Sequence, residues 1–169
     1  MNSEADLLTE YGESAPERNK LYTLLISMMV AYFCFYLLNQ VVNLDYLSLR
    51  TRFVFDWSEF IFIFLLPAIG FGLLLMKIRT GWYVLVFFFS FFSVFALTAT
   101  IVELQGPGKM GPLMRWRRII FEVLVTANCV LLFLKSIRLM YKIKPMPAII
   151  TVTIASCIAL FLFYAARYL

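Results

Sequence analysis

The chain has 169 residues, 63% of them hydrophobic and 18% aromatic, with a formal net charge of +5 and no histidine. A soluble domain is about 45–50% apolar; the excess here lies in long runs, with a mean hydropathy of +0.87, so the solvent is a bilayer. The missing histidine removes His-ligated haem, His-based zinc sites and histidine general bases. The basic balance does not point to nucleic acid either, because Lys and Arg sit at the ends of apolar runs, where they reach lipid headgroups.

The expectation is an all-α, polytopic integral membrane helical bundle. A spanning helix needs about 20 residues, so this length suits about five transmembrane helices and leaves no folded domain outside the membrane. Cys34, Cys129 and Cys157 each lie inside an apolar run at no metal-ligand spacing. They read as small hydrophobes, and no cofactor or metal is expected.

Residues 1–20 form a polar, acidic N-terminal tail. Glu4, Asp6, Glu10, Glu13 and Glu17 precede Arg18 and Lys20, unlike the basic start and apolar centre of a signal peptide. The bundle then occupies 21–169. The first span covers about 21–43, with Tyr32, Tyr36, Asn39 and Asn43 on one face. Helix–helix hydrogen bonding outweighs cavity lining as their role. Residues 44–58 read as a chain lying along the interface, with Tyr46, Phe53, Phe55 and Trp57 among the headgroups.

The second span covers about 59–76. Asp56 and Glu59 have capping-box spacing, and Pro67 interrupts the helix. Gly70 and Gly72 follow, and Ala68 with Gly72 makes a small-xxx-small pair. A kink with close helix approach is the bland reading; Pro67, Gly70 and Gly72 as a hinge is the sharper one. The third span, about 82–102, carries Phe87, Phe88, Phe89, Phe91, Phe92 and Phe95 around its surface and is expected to meet lipid. Ser93, Ala96, Thr100 and Glu103 share one of its faces. Residues 104–113 are a turn-rich connector without the Lys-Ser or Lys-Thr of a phosphate loop.

The fourth span, about 119–134, follows Arg115, Arg117 and Arg118 and precedes Lys135, Arg138, Lys142 and Lys144. On a helix Arg118, Glu122, Thr126, Cys129 and Ser136 fall on one narrow face. The helix either ends by snorkelling or runs on past Lys135 until Pro145 and Pro147 break it. The fifth span, about 148–166, is rich in small residues, with Ala155 and Ala159 a second small-xxx-small pair, and is expected to pack centrally.

Five spans put eight cations on the N-terminal side and seven on the other. The first side has the shorter loops, which favours an N-terminus inside a bacterial inner membrane. On the other side Asn39, Glu59, Glu103, Arg118, Glu122 and Thr126 converge as a candidate polar vestibule, since an ionisable group at membrane depth is costly. No convergent catalytic set accompanies them. The expected role is therefore non-enzymatic: an integral membrane accessory or assembly subunit of a larger complex, in contact with membrane lipids and with other membrane subunits or a second copy. The alternative is a small transporter or channel lined by Glu59, Glu103, Arg118 and Glu122.

Overall fold

The computed structural model describes residues 15–47, 60–104 and 112–168. They form helices throughout, with no strand among the described residues. The order is α1 (Ala15–Leu47), a π-helical stretch Phe60–Leu65 that runs into α2 (Leu66–Leu75), α3 (Arg79–Leu104), α4 (Pro112–Phe133), α5 (Lys135–Met140) and α6 (Pro145–Tyr168). Of the interfacial chain expected at 44–58, residues 44–47 are instead the end of α1, where the helix runs on, and 48–58 lie outside the described residues.

Among the described residues three stretches are long and apolar enough to cross a membrane: Asn19–Asn39, Arg79–Val102 and Pro145–Ala165. Phe60–Leu75 is a shorter apolar helix. At 22 residues α4 is about 33 Å long, ample for a bilayer, but its first half carries Arg115, Arg117, Arg118 and Glu122. Length and composition therefore support three candidate spans among the described residues, and the expected count of about five is not confirmed. The helices also overrun their expected limits. α1 begins at Ala15 beside Pro16, whose fixed φ suits a first turn, so part of the acidic tail is helical. Once a span is helical, each further residue adds a hydrogen bond at little cost.

The central helix is α3, not the fifth span. α3 packs against α2, α4 and α6, whereas α6 is held chiefly along α3. Within the spans, 39% of the α3 residues are buried against 17% in α6. Ala148, Ala155 and Ala159 are the fully buried residues of α6; their small side chains let it approach α3 closely, while Ile149, Ile150 and Phe161 stay exposed. The phenylalanines of α3 divide: Phe87, Phe91, Phe92 and Phe95 stay partly exposed, while two turn inward. Phe88 and Phe89 are buried and meet Tyr32 of α1 edge-on, at ring separations of 6.1 and 5.4 Å. Lipid is as apolar as a phenyl ring, so dispersion and edge-to-face geometry, not exclusion from water, hold these rings inside.

Every irregular backbone carbonyl in a bilayer needs a donor, and four long side chains with polar tips supply them. Pro67 has no N–H for the Ile63 carbonyl, and the Tyr32 hydroxyl donates to that oxygen at 2.6 Å. α4 breaks at Leu134 (φ −55°, ψ 136°). The Trp82 indole donates to the Leu132 carbonyl at 3.0 Å, and Arg138 Nε donates to Phe133 at 3.1 Å. The Tyr141 hydroxyl reaches the Leu74 carbonyl at the end of α2, at 3.0 Å. The break also corrects the idea of α4 running straight past Lys135. α5 instead packs against α1 and buries Ser136 and Ile137.

Candidate functional site

The polar face of α4 meets the polar face of α3. These helices are antiparallel neighbours, and their hydroxyl and thiol positions recur every three or four residues, so they meet rung by rung. Ser90 Oγ lies 3.3 Å from Cys129 Sγ, and Ser93 Oγ lies 2.9 Å from Thr126 Oγ1. Thr100 Oγ1 donates to Glu122 Oε2 at 3.0 Å. Arg118 Nη2 reaches back to the Ala96 carbonyl at 3.4 Å. Ser90 and Ser93 are buried; Thr100, Arg118, Glu122, Thr126 and Cys129 are half-buried. A neutral hydroxyl facing a carboxylate lowers the cost of the charge without cancelling it.

Of the candidate vestibule residues, Arg118, Glu122 and Thr126 therefore stand on this shared seam. Asn39 is half-buried on α1. Glu103 lies in the last turn of α3, so its helix brings it to the same end as Arg118, but its side chain is outside the described set. Glu59 lies outside the described residues. Ser136 is not on the seam: the break at Leu134 takes it into α5, where it is buried.

The hinge candidates separate from one another. Pro67 is buried in the first turn of α2, and the Tyr32 hydroxyl serves the Ile63 carbonyl that its missing N–H leaves. A Cβ on Gly70 would meet Leu85 and Val84 at 3.0 Å, while one on Gly72 would meet nothing within 4 Å. The tight approach of α2 and α3 uses Gly70 and Gly81, not the Ala68–Gly72 pair. Gly81 sits where its Cβ would be 2.5 Å from the Leu74 nitrogen. Spacing alone did not single it out, because it falls in what reads as a turn.

Two features had no counterpart in the sequence reading. Asn128 is fully buried against α1, and its Nδ2 donates to the Met28 carbonyl at 3.2 Å and to Leu124 at 2.9 Å. Both partners are acceptors, which sets the amide orientation and leaves Oδ1 without a hydrogen bond. The second is the pair Tyr22 and Tyr141. Burial pushes the Tyr141 phenol well above its ordinary range, and the neighbouring Tyr22 adds to the shift.

Among the described residues no group of three His, Cys, Asp or Glu side chains could hold a metal ion. What the arrangement can do is bind helix to helix, and hold one half-buried carboxylate against a hydroxyl. The described residues form a helical bundle with three apolar span candidates, compatible with a membrane-embedded protein. Comparison with known proteins finds no matching family, no matching curated protein and no matching solved structure.

Proposed function

We propose that this protein is a non-enzymatic membrane subunit that supports the assembly of a larger membrane complex. In this reading α2 and α4 also cross the membrane, giving five spans, with the N-terminus inside a bacterial inner membrane. The observation that carries it is the division of labour between faces. The hydroxyls of α3 and α4 bond to each other, while α6 is held along one neighbour and leaves Ile149, Ile154, Ile158 and Phe161 bare. A helix attached on one side in this way suits packing against further membrane helices. The test is native mass spectrometry of the protein extracted in mild detergent. A mass equal to this chain plus other polypeptides supports the reading. A particle of 19.7 kDa alone, active by itself, overturns it.

A second reading is a small homo-oligomeric transporter or channel with Asn39, Glu59, Glu103, Arg118, Glu122 and Thr126 around a vestibule. It is favoured by Glu122, half-buried at membrane depth with Thr100 as its side-chain donor among the described residues. A carboxylate has about four acceptor positions, so an ion or a proton could use the rest. A mass that is a multiple of 19.7 kDa and flux in liposomes abolished by Glu122→Gln would select it.

A further inference from the structure

The seam between α3 and α4 ends in a carboxylate whose hydrogen-bonding capacity is mostly unused. Glu122 is half-buried and accepts from Thr100 at 3.0 Å. A carboxylate has about four acceptor positions, and among the described residues Thr100 is its one hydrogen-bond donor. Arg118, a turn earlier on the same helix, directs Nη2 to the Ala96 carbonyl instead. Thr100 belongs to the candidate span Arg79–Val102, so the bond sets the carboxylate level with the last turn of that span.

The side chains next to this carboxylate give a second, independent observation. Leu97 and Ile101 of α3 and Ile119 and Val123 of α4 are all exposed. Their placement follows from helical rotation. Ile101 follows Thr100 and Val123 follows Glu122, so each is turned about 100° from its own seam position. Leu97 and Ile119 precede those positions by three residues, which turns them about 60° the same way. α3 and α4 run antiparallel, so equal rotations along the two chains carry all four residues to one side of the seam. α1 covers the other side, where Val125 and Asn128 are buried and Asn128 is bonded to Met28. The uncovered side is therefore a groove with apolar walls and Glu122 at its base.

We propose that this groove receives a transmembrane helix of a partner subunit, one that presents a lysine or arginine to Glu122. The proposal rests on the assembly reading above and names the surface and the chemistry that the partner uses. Charge complementarity selects the occupant. A lipid chain or a wholly apolar helix fits the walls but leaves the carboxylate facing hydrocarbon, which is costly. A lysine or arginine lays its apolar stem along the walls and brings donors to the open oxygens.

The test uses the full chain in mild detergent, immobilised through a tag, and two fluorescent synthetic helices of about 20 residues. One is polyleucine; the other carries a single lysine one turn from its end. The chain should retain the lysine helix about five-fold more, the worth of one polar pair between membrane helices. E122Q should bring the lysine helix down to the polyleucine level and leave polyleucine unchanged. Glutamine keeps an acceptor for Thr100, so the seam itself survives this substitution. V123W fills the groove from an exposed position and should lower retention of both helices. Equal retention of the two helices by the parent overturns the proposal. So does a preference that persists in E122Q, or retention that V123W leaves unchanged. Displacement of the lysine helix by unlabelled copies of this chain would assign the groove to a second copy and also overturn it. The readout is separate from the mass of the extracted complex: other polypeptides in that complex, together with equal retention here, would keep the assembly reading and remove this partner.

Discussion

Gly81→Ala tests the closest contact in the fold. The added Cβ would lie 2.5 Å from the Leu74 nitrogen, 2.7 Å from the Gly70 oxygen and 2.7 Å from the Leu73 carbonyl carbon. All three are backbone atoms of α2, so no change of rotamer makes room, and α2 and α3 must move apart by about an ångström to restore van der Waals separation. Overpacking of a close contact costs about 1–3 kcal/mol, occasionally more. Separation would also strain the Schellman bonds at Lys77 and Ile78 and unseat Trp82 next door. Against this stands a gain of about 0.5–1 kcal/mol from replacing glycine by alanine in a helix. The expected net loss is about 2 kcal/mol. Gly72→Ala meets nothing within 4 Å and should keep the whole helix gain, about 0.5 kcal/mol of stabilisation. Gly70→Ala meets the ends of Leu85 and Val84 at 3.0 Å, side chains that can shift, and should fall between. Reversible unfolding in mixed detergent and SDS micelles, followed by the fluorescence of buried Trp82, gives the three values side by side. If Gly81→Ala were as stable as Gly72→Ala, the α2–α3 approach described above would be wrong.

Other substitutions probe the carbonyls at the helix irregularities and the seam, in the same unfolding assay. Trp82→Phe keeps the ring but strips the donor from the Leu132 carbonyl, and Tyr32→Phe does the same at Ile63; each should cost about 1–3 kcal/mol, the penalty of a buried unsatisfied group. A double-mutant cycle with Ser93→Ala and Thr126→Val should return a coupling of about 0.6 kcal/mol, the usual worth of an interhelical hydroxyl pair in a membrane; zero coupling would remove that rung. Asn128→Leu should stay within about 1 kcal/mol of the parent. Its Oδ1 is unsatisfied, and its acceptors Met28 and Leu124 lie inside helices whose own N–H groups can serve them. A loss several times larger would mean that a donor sits on Oδ1 in the membrane.

Much of the candidate site was legible as a pattern. Spacings of three and four put Arg118, Glu122, Thr126 and Cys129 on one face and Ser93, Ala96 and Thr100 on another, because helical periodicity is a property of the sequence. That these two faces meet is a property of packing, and only the bonds Ser93–Thr126 and Thr100–Glu122 reveal it. The misjudged elements share one cause. Phe88 and Phe89 of α3 lie inside and the small residues of α6 lie off the centre, against what size suggests, because in a bilayer hydrophobicity does not separate inside from outside. Complementary shape does: Phe88 and Phe89 fill the space beside Tyr32, and the alanines of α6 only mark one narrow contact stripe.

By itself, the sequence determined the solvent, the helical class and the clustering of charge at helix ends. These follow from apolar run length and from the cost of unpaired backbone groups in hydrocarbon, which every span must meet alone. The tertiary structure decided which helix is central and where the backbone may break. A break survives in hydrocarbon only where another helix brings a donor, as Tyr32 does for Ile63 and Trp82 for Leu132. Those pairs lie 31 and 50 residues apart, so no local pattern along the chain could announce them.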